Sequence, residues 1–165
     1  MKTAGIIGGV GPESTIEYYR LLISTYREQN PDGNYPSLII NSINLKRMVD
    51  LVTASRFSDI TDYLTTEITR LANAGADFAA ISANTPHVVF EDVRPRSPLP
   101  LISIVETTCE AAKESGLTRV GLFGTRFTMQ GRFYRDVFDR AAIDLVVPTV
   151  EEQAYIHDKL SLIHI

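Results

Sequence analysis

The sequence holds a single cysteine, Cys109, and no tryptophan in 165 residues. One thiol cannot close an internal disulfide, which points to a reducing, cytoplasmic setting. No apolar run approaches the ~18 to 20 residues that span a bilayer. The opening MKTAGIIGG reads as a strand and a turn rather than a cleavable leader, so none is expected. Basic blocks are also missing: 16 Lys and Arg against 20 Asp and Glu leave a formal charge of −4. Nucleic acid and membrane surfaces, which reward concentrated positive charge, are thereby excluded as main partners. His87, His157 and His164 have no ligand partners at metal-binding spacing, so no metal site is expected. The GxSxG elbow is absent, which removes the α/β-hydrolase reading.

What is present is a soluble-domain composition, 44% hydrophobic, patterned as strand, turn and amphipathic helix in repetition. Apolar runs at 3–7, 38–43, 77–82, 101–104, 119–123 and 144–147 read as strands. Helical spacing follows Pro12 through Ile16, Tyr19, Leu22, Ile23 and Tyr26, and the Asn30-Pro31-Asp32-Gly33 turn stops it. Residues 56–74 carry the clearest helix, with Phe57, Ile60, Leu64, Ile68 and Leu71 on one face and Gly75 at its end. Further helices are expected over 105–114, near 131–141, and from Glu151.

Strands of near-continuous apolar character alternating with helices predict an α/β fold, a parallel sheet with helices on both faces. A short echo, GIIGG after the first strand and GLFGT after the fifth, predicts two pseudo-symmetric lobes. The expected division is 1–100 for the first lobe and 101–159 for a partial second one. In such folds ligands bind outside the carboxyl ends of the strands. Those ends carry Gly8-Gly9-Val10-Gly11, residues 44–47, residues 82–85 and Gly124-Thr125.

The Gly8-Gly9-Val10-Gly11-Pro12 turn offers backbone N–H groups, including those of Val10 and Gly11, to an anion at a helix start. Its spacing is neither G-x-G-x-x-G nor a P-loop, which disfavours a nucleotide. A small carboxylate fits the same donors, and a plain strand-to-helix turn explains the glycines equally well. Asn84 and Thr85 can donate to a carboxylate without adding a charge, or cap the turn that begins at Pro86. Thr125 and Thr128 repeat that choice. Arg47 can clamp a carboxylate with its guanidinium fork. His87 follows the strand-end motif and either orients a group there or lies at the surface. Cys109, on the same helical face as Val105 and Ala112, reads as a small core hydrophobe rather than a nucleophile.

Taken together, these segments resemble the aspartate/glutamate racemase family. The first signature is Gly5-Ile6-Ile7-Gly8-Gly9-Val10-Gly11-Pro12-Glu13-Ser14-Thr15 followed by Tyr18-Tyr19. The second is Ser82-Ala83-Asn84-Thr85-Pro86-His87, where the family has Cys-x-Asn-Thr-x-His. The third is Gly124-Thr125-Arg126-Phe127-Thr128-Met129. The resemblance implies a two-lobed fold with the substrate between lobes, and homodimers. It also implies racemisation of an acidic amino acid by two cysteines, without pyridoxal phosphate or metal. Inversion needs a base on one face of the α-carbon and an acid on the other.

Two departures from the family pattern shape the expectation. Ser82 stands where the first catalytic cysteine falls, and a hydroxyl is a far weaker acid than a thiol. No Gly-Cys-Thr-Glu-type motif supplies the second cysteine, and residues 160–165 read as a non-native tail, an in-frame adapter translation. The expectation is a truncated racemase fragment, unstable and of little or no activity, with an incomplete second lobe. Two alternatives stand beside it: another isomerase, decarboxylase or hydantoin-type racemase of the superfamily, and a non-catalytic protein that binds small carboxylates.

Overall fold

A computed structural model describes residues 1–163. The chain forms two compact units. The first joins Met1–Ala83 to Val89–Ile102, and the second joins Asn84–Val88 to the chain from Ser103 onward.

In the first unit β1 (Thr3–Gly8) leads through a glycine turn into α1 (Pro12–Gln29). Then come β2 (Ser37–Ser42), α2 (Leu45–Thr53), α3 (Phe57–Asn73), β3 (Phe78–Ile81), the short α4 (Phe90–Val93) and β4 (Leu101–Ile102). The strands are all parallel in the order β2-β1-β3-β4, with Ile7 beside Ile81 and Gly8 beside Ser42. The central strand β1 is buried from Ala4 onward, as a strand covered on both faces must be. On α3, Ile60, Leu64, Ile68 and Leu71 recur at helical spacing and are all shut away from water. Each contributes about 1.5–3 kcal/mol by leaving solvent. The buried Glu67 on the same helix is satisfied by Arg70 Nη1 at 2.8 Å from both carboxylate oxygens and by Asn41 Nδ2 at 2.8 Å.

The second unit comprises α5 (Ile104–Glu114), β5 (Arg119–Gly121), α6 (Arg126–Gln130), α7 (Arg132–Arg140), β6 (Asp144–Val146) and α8 (Val150–Ile163). Strands β5 and β6 pair in parallel, Val120 beside Leu145. Two strands alone hold little stability. Their support is a cluster of Val105, Cys109 and Ala112 from α5, Tyr134 and Phe138 from α7, and Ile143 and Leu145. Cys109 is free and 4% exposed within that cluster, as its face on the helix predicts. Cys109→Ala is expected to cost about 1 kcal/mol, the loss of one small buried group, measurable as a shift of the urea midpoint. In the folded chain its thiol is expected to resist alkylation until denaturant is added.

Several boundaries differ from the sequence reading, each for a local reason. The strand expected over 101–104 stops at Ile102 because the Ser103 side chain caps α5, accepting from Glu106 N–H. The helix expected near 131–141 starts at Arg132, since Gly131 is extended at φ −68° and ψ 153° and separates it from α6. Residues 44–47, read as strand-end polar residues, open α2, with Asn44 Oδ1 accepting from Arg47 N–H at 2.9 Å. Helix α8 continues through Ile163, so the backbone of residues 160–163 is helical. The rest of the expected non-native tail, the side chains from 161 and residues 164–165, lies outside the described residues.

Candidate functional site

In the first unit the chain passes from β1 to β2 on one side and then crosses to β3 on the other. The crevice of such a sheet opens at this reversal, outside the carboxyl ends of β1 and β3. Two segments end there: the glycine turn after β1 and Ser82 after β3. Gly11 caps α1 in the left-handed conformation, φ 101°, and Pro12 takes the first helical position. Val10 and Gly11 are both buried in the turn.

Four polar groups meet at this point. Gly9 N–H donates to Thr15 Oγ1 at 3.0 Å, and Thr15 Oγ1 lies 3.1 Å from Ser82 Oγ. Ser82 Oγ donates in turn to the Ile7 carbonyl at 3.1 Å. Ser82 is 2% exposed, so this hydroxyl is fully used inside the fold. Its partners are a carbonyl and another hydroxyl, and neither takes up a proton at neutral pH. Among the described residues, Ser82 therefore has no base bonded to its hydroxyl to activate it.

The other polar strand-end residues assemble in the second unit. Thr85 Oγ1 lies 3.1 Å from Thr125 Oγ1, which lies 3.2 Å from Thr128 Oγ1. Thr125 also caps α6 by accepting from Thr128 N–H, so cap and hydroxyl chain coexist. Asn84 is exposed, and its Oδ1 accepts from the Tyr134 hydroxyl at 2.5 Å. His87 is buried, with Nε2 accepting from Ile104 N–H at 3.4 Å, which places it in the packing rather than at the surface. The sequence echo extends to side chains. A Cβ on Gly8 would strike Thr15 Cγ2 at 2.5 Å, and one on Gly124 would meet Thr128 Cγ2 at 2.9 Å. Each turn is thus tight against a threonine of the helix that follows.

Arg47 belongs to the first unit. It is exposed on α2, its guanidinium 4.2 Å from the centre of the Tyr63 ring, at a depression of about 420 Å³ shared with Asn44, Lys46 and Arg56. Tyr63 also accepts from Asn44 N–H at 3.1 Å, so one buried ring supports both residues. Burial pushes the Tyr18 phenol on α1 above its ordinary value, which keeps it a neutral hydroxyl. Among the described residues no group of three or more His, Cys, Asp or Glu is arranged to hold a metal ion. None of the described helices is long and apolar enough to cross a membrane.

Thr15, Tyr63 and Tyr134 were not singled out by sequence reasoning. Thr15 stands inside the first motif, where its spacing from Gly8 was the available signal. Nothing in the linear sequence marks the two tyrosines.

The family model for Asp/Glu/hydantoin racemases matches residues 7–162. The broad-specificity amino-acid racemase RacX of Bacillus subtilis is 28% identical over 137 residues, 81% of this chain. The chain spans 59% of that relative's length. An aspartate racemase homologue from Pyrococcus horikoshii is 37% identical, with a TM-score of 0.83 over 96% of this chain and 69% of that one. A candidate Asp/Glu racemase from Yersinia pestis is 28% identical, with a TM-score of 0.89 over 98% of this chain and 71% of that one.

Proposed function

Since the chain belongs to the Asp/Glu/hydantoin racemase family, we propose that its protein racemises aspartate or glutamate by moving the α-proton, without a cofactor. The α C–H bond breaks, the proton passes to a carrier on one face, and a second carrier returns a proton to the opposite face. The electron pair left behind is spread into the substrate carboxylate, which must be held by hydrogen-bond donors for the α-proton to be acidic enough. Val10 and Gly11 N–H, Asn84, Thr85, Thr125, Thr128 and Arg47 are the donors assigned to that task. All are neutral except Arg47, which suits a substrate that keeps its ammonium group.

The observation that carries this reading is the Ser82 hydroxyl at the carboxyl end of β3, beside the glycine turn that follows β1. Ser82 is the first proton carrier in the proposal, and a slow one. The chain's single thiol, Cys109, is buried in the α5–α7 core and is not the second carrier in the proposal. A solution to the Thr15–Ser82–Ile7 chain of hydrogen bonds without any base also favours a second reading, a protein that binds a small carboxylate and leaves it unchanged.

Chiral chromatography separates these readings. The full-length gene product is incubated with L-aspartate, L-glutamate, neutral amino acids and a hydantoin. Appearance of the D-enantiomer from the two acidic substrates supports the proposal. Turnover of the hydantoin or a neutral amino acid alone reassigns the substrate. Binding of aspartate without any D-product leaves the non-catalytic reading.

A further inference from the structure

Tyr134 is 6% exposed on α7, within the apolar cluster of the second unit, yet its hydroxyl reaches the exposed Asn84 side chain. The two residues are 50 positions apart in sequence, so this contact exists only through the tertiary fold. The Tyr134 O–H donates to Oδ1, the carbonyl oxygen of the Asn84 carboxamide. The phenol therefore faces the carbonyl end of the carboxamide. With Oδ1 held from below, the two N–H groups of Asn84 are the end turned away from Tyr134.

We propose that Tyr134 is a positioning residue that sets the orientation of the Asn84 amide and thereby selects a carboxylate as the group Asn84 receives. An amide turned the other way would present its carbonyl oxygen, which repels a carboxylate and attracts an ammonium. The ring itself is anchored: Tyr134 lies 5.4 Å from Phe133 and 6.0 Å from Phe138, centroid to centroid. Tyr134→Phe keeps the anchored ring and removes the hydroxyl, and pairing it with a change at Asn84 separates the part of its effect that runs through the amide. The inference rests on the proposed carboxylate site, although it concerns binding only and needs no turnover.

The test is a double-mutant cycle, with the Kd of L-aspartate measured by calorimetry on the full-length gene product. Tyr134→Phe is expected to weaken binding roughly three- to tenfold, the usual worth of one neutral hydrogen bond. In an Asn84→Ala background the same change is expected to weaken binding by clearly less, since the amide it orients is gone. Equal affinities for the parent and Tyr134→Phe overturn the inference. So do effects of Tyr134→Phe that are the same in both backgrounds, because a residue that merely stabilises the unit behaves that way. A parent protein that binds no aspartate, glutamate or succinate overturns the carboxylate site itself, and the inference with it.

Discussion

Replacing Ser82 by cysteine is expected to raise α-proton exchange on aspartate or glutamate by about 100-fold or more in the full-length gene product. A thiol has a pKa of about 8.5, so it gives and takes a proton near neutral pH, and the serine hydroxyl does not. The structure adds a reason specific to this chain. Ser82 Oγ is bonded to the Ile7 carbonyl and to Thr15 Oγ1, and neither can relieve it of its proton. The larger sulfur must be accommodated at a position 2% exposed, where Thr15 Oγ1 and the Ile7 carbonyl each lie 3.1 Å from the hydroxyl. Overpacking costs about 1–3 kcal/mol, so thermal unfolding has to be followed alongside the rate. Enantiomers have equal energy in water, and kcat/KM must therefore rise equally in both directions. A folded Ser82→Cys variant no faster than the parent removes Ser82 from the chemistry.

The second large effect is on stability. Gly9→Ala is expected to destabilise the first unit by about 2–5 kcal/mol. Gly9 has φ +79°, which costs an L-residue about 1–2 kcal/mol. A Cβ there would also lie 2.5 Å from the Ile43 carbonyl oxygen and 2.6 Å from Ser42 Oγ. Backbone atoms cannot step aside as a flexible side chain does, and relieving such a clash costs about 1–3 kcal/mol more. For a domain of ordinary marginal stability that is a large share of the total. Urea unfolding of parent and variant reads it directly. The turn also places Gly9 N–H on Thr15, so the shift in structure reaches Ser82. A loss below about 1 kcal/mol would show that the turn relaxes freely, contrary to the close approach seen between the glycine turn and the β2–α2 connection.

The parts of the fold that local chemistry dictates were open to sequence reading. Helix α3 announces itself by four buried aliphatics on one face, and the first turn by Gly11 before Pro12. Parallel pairing followed from strands that are apolar on both faces. Helix α2 is hard to read from sequence although Met48, Leu51 and Val52 share one face, because its opening residues also fit polar strand-end groups. Here the functional reading masked the period. Of the candidate site residues, Ser82 and the glycine turn meet at the sheet reversal, and Thr85, Thr125 and Thr128 form one hydroxyl chain. Their partners were hidden. Thr15 and Ser82 are 67 residues apart, and Tyr134 reaches Asn84 across 50. Tyr63 meets Asn44 across 19, and no periodicity encodes any of these approaches. Propensity and pattern describe an element, whereas such contacts arise from how elements pack.

Solvent deuterium provides the most direct test of the central claim. The full-length gene product is held with L-aspartate or L-glutamate in D2O, and the Cα–H resonance is followed by proton NMR. Loss of that resonance, slow in the parent and much faster in the Ser82→Cys variant, is the predicted result. A resonance that persists in both, while calorimetry shows the amino acid bound, would contradict it and leave a carboxylate-binding protein in place of a racemase.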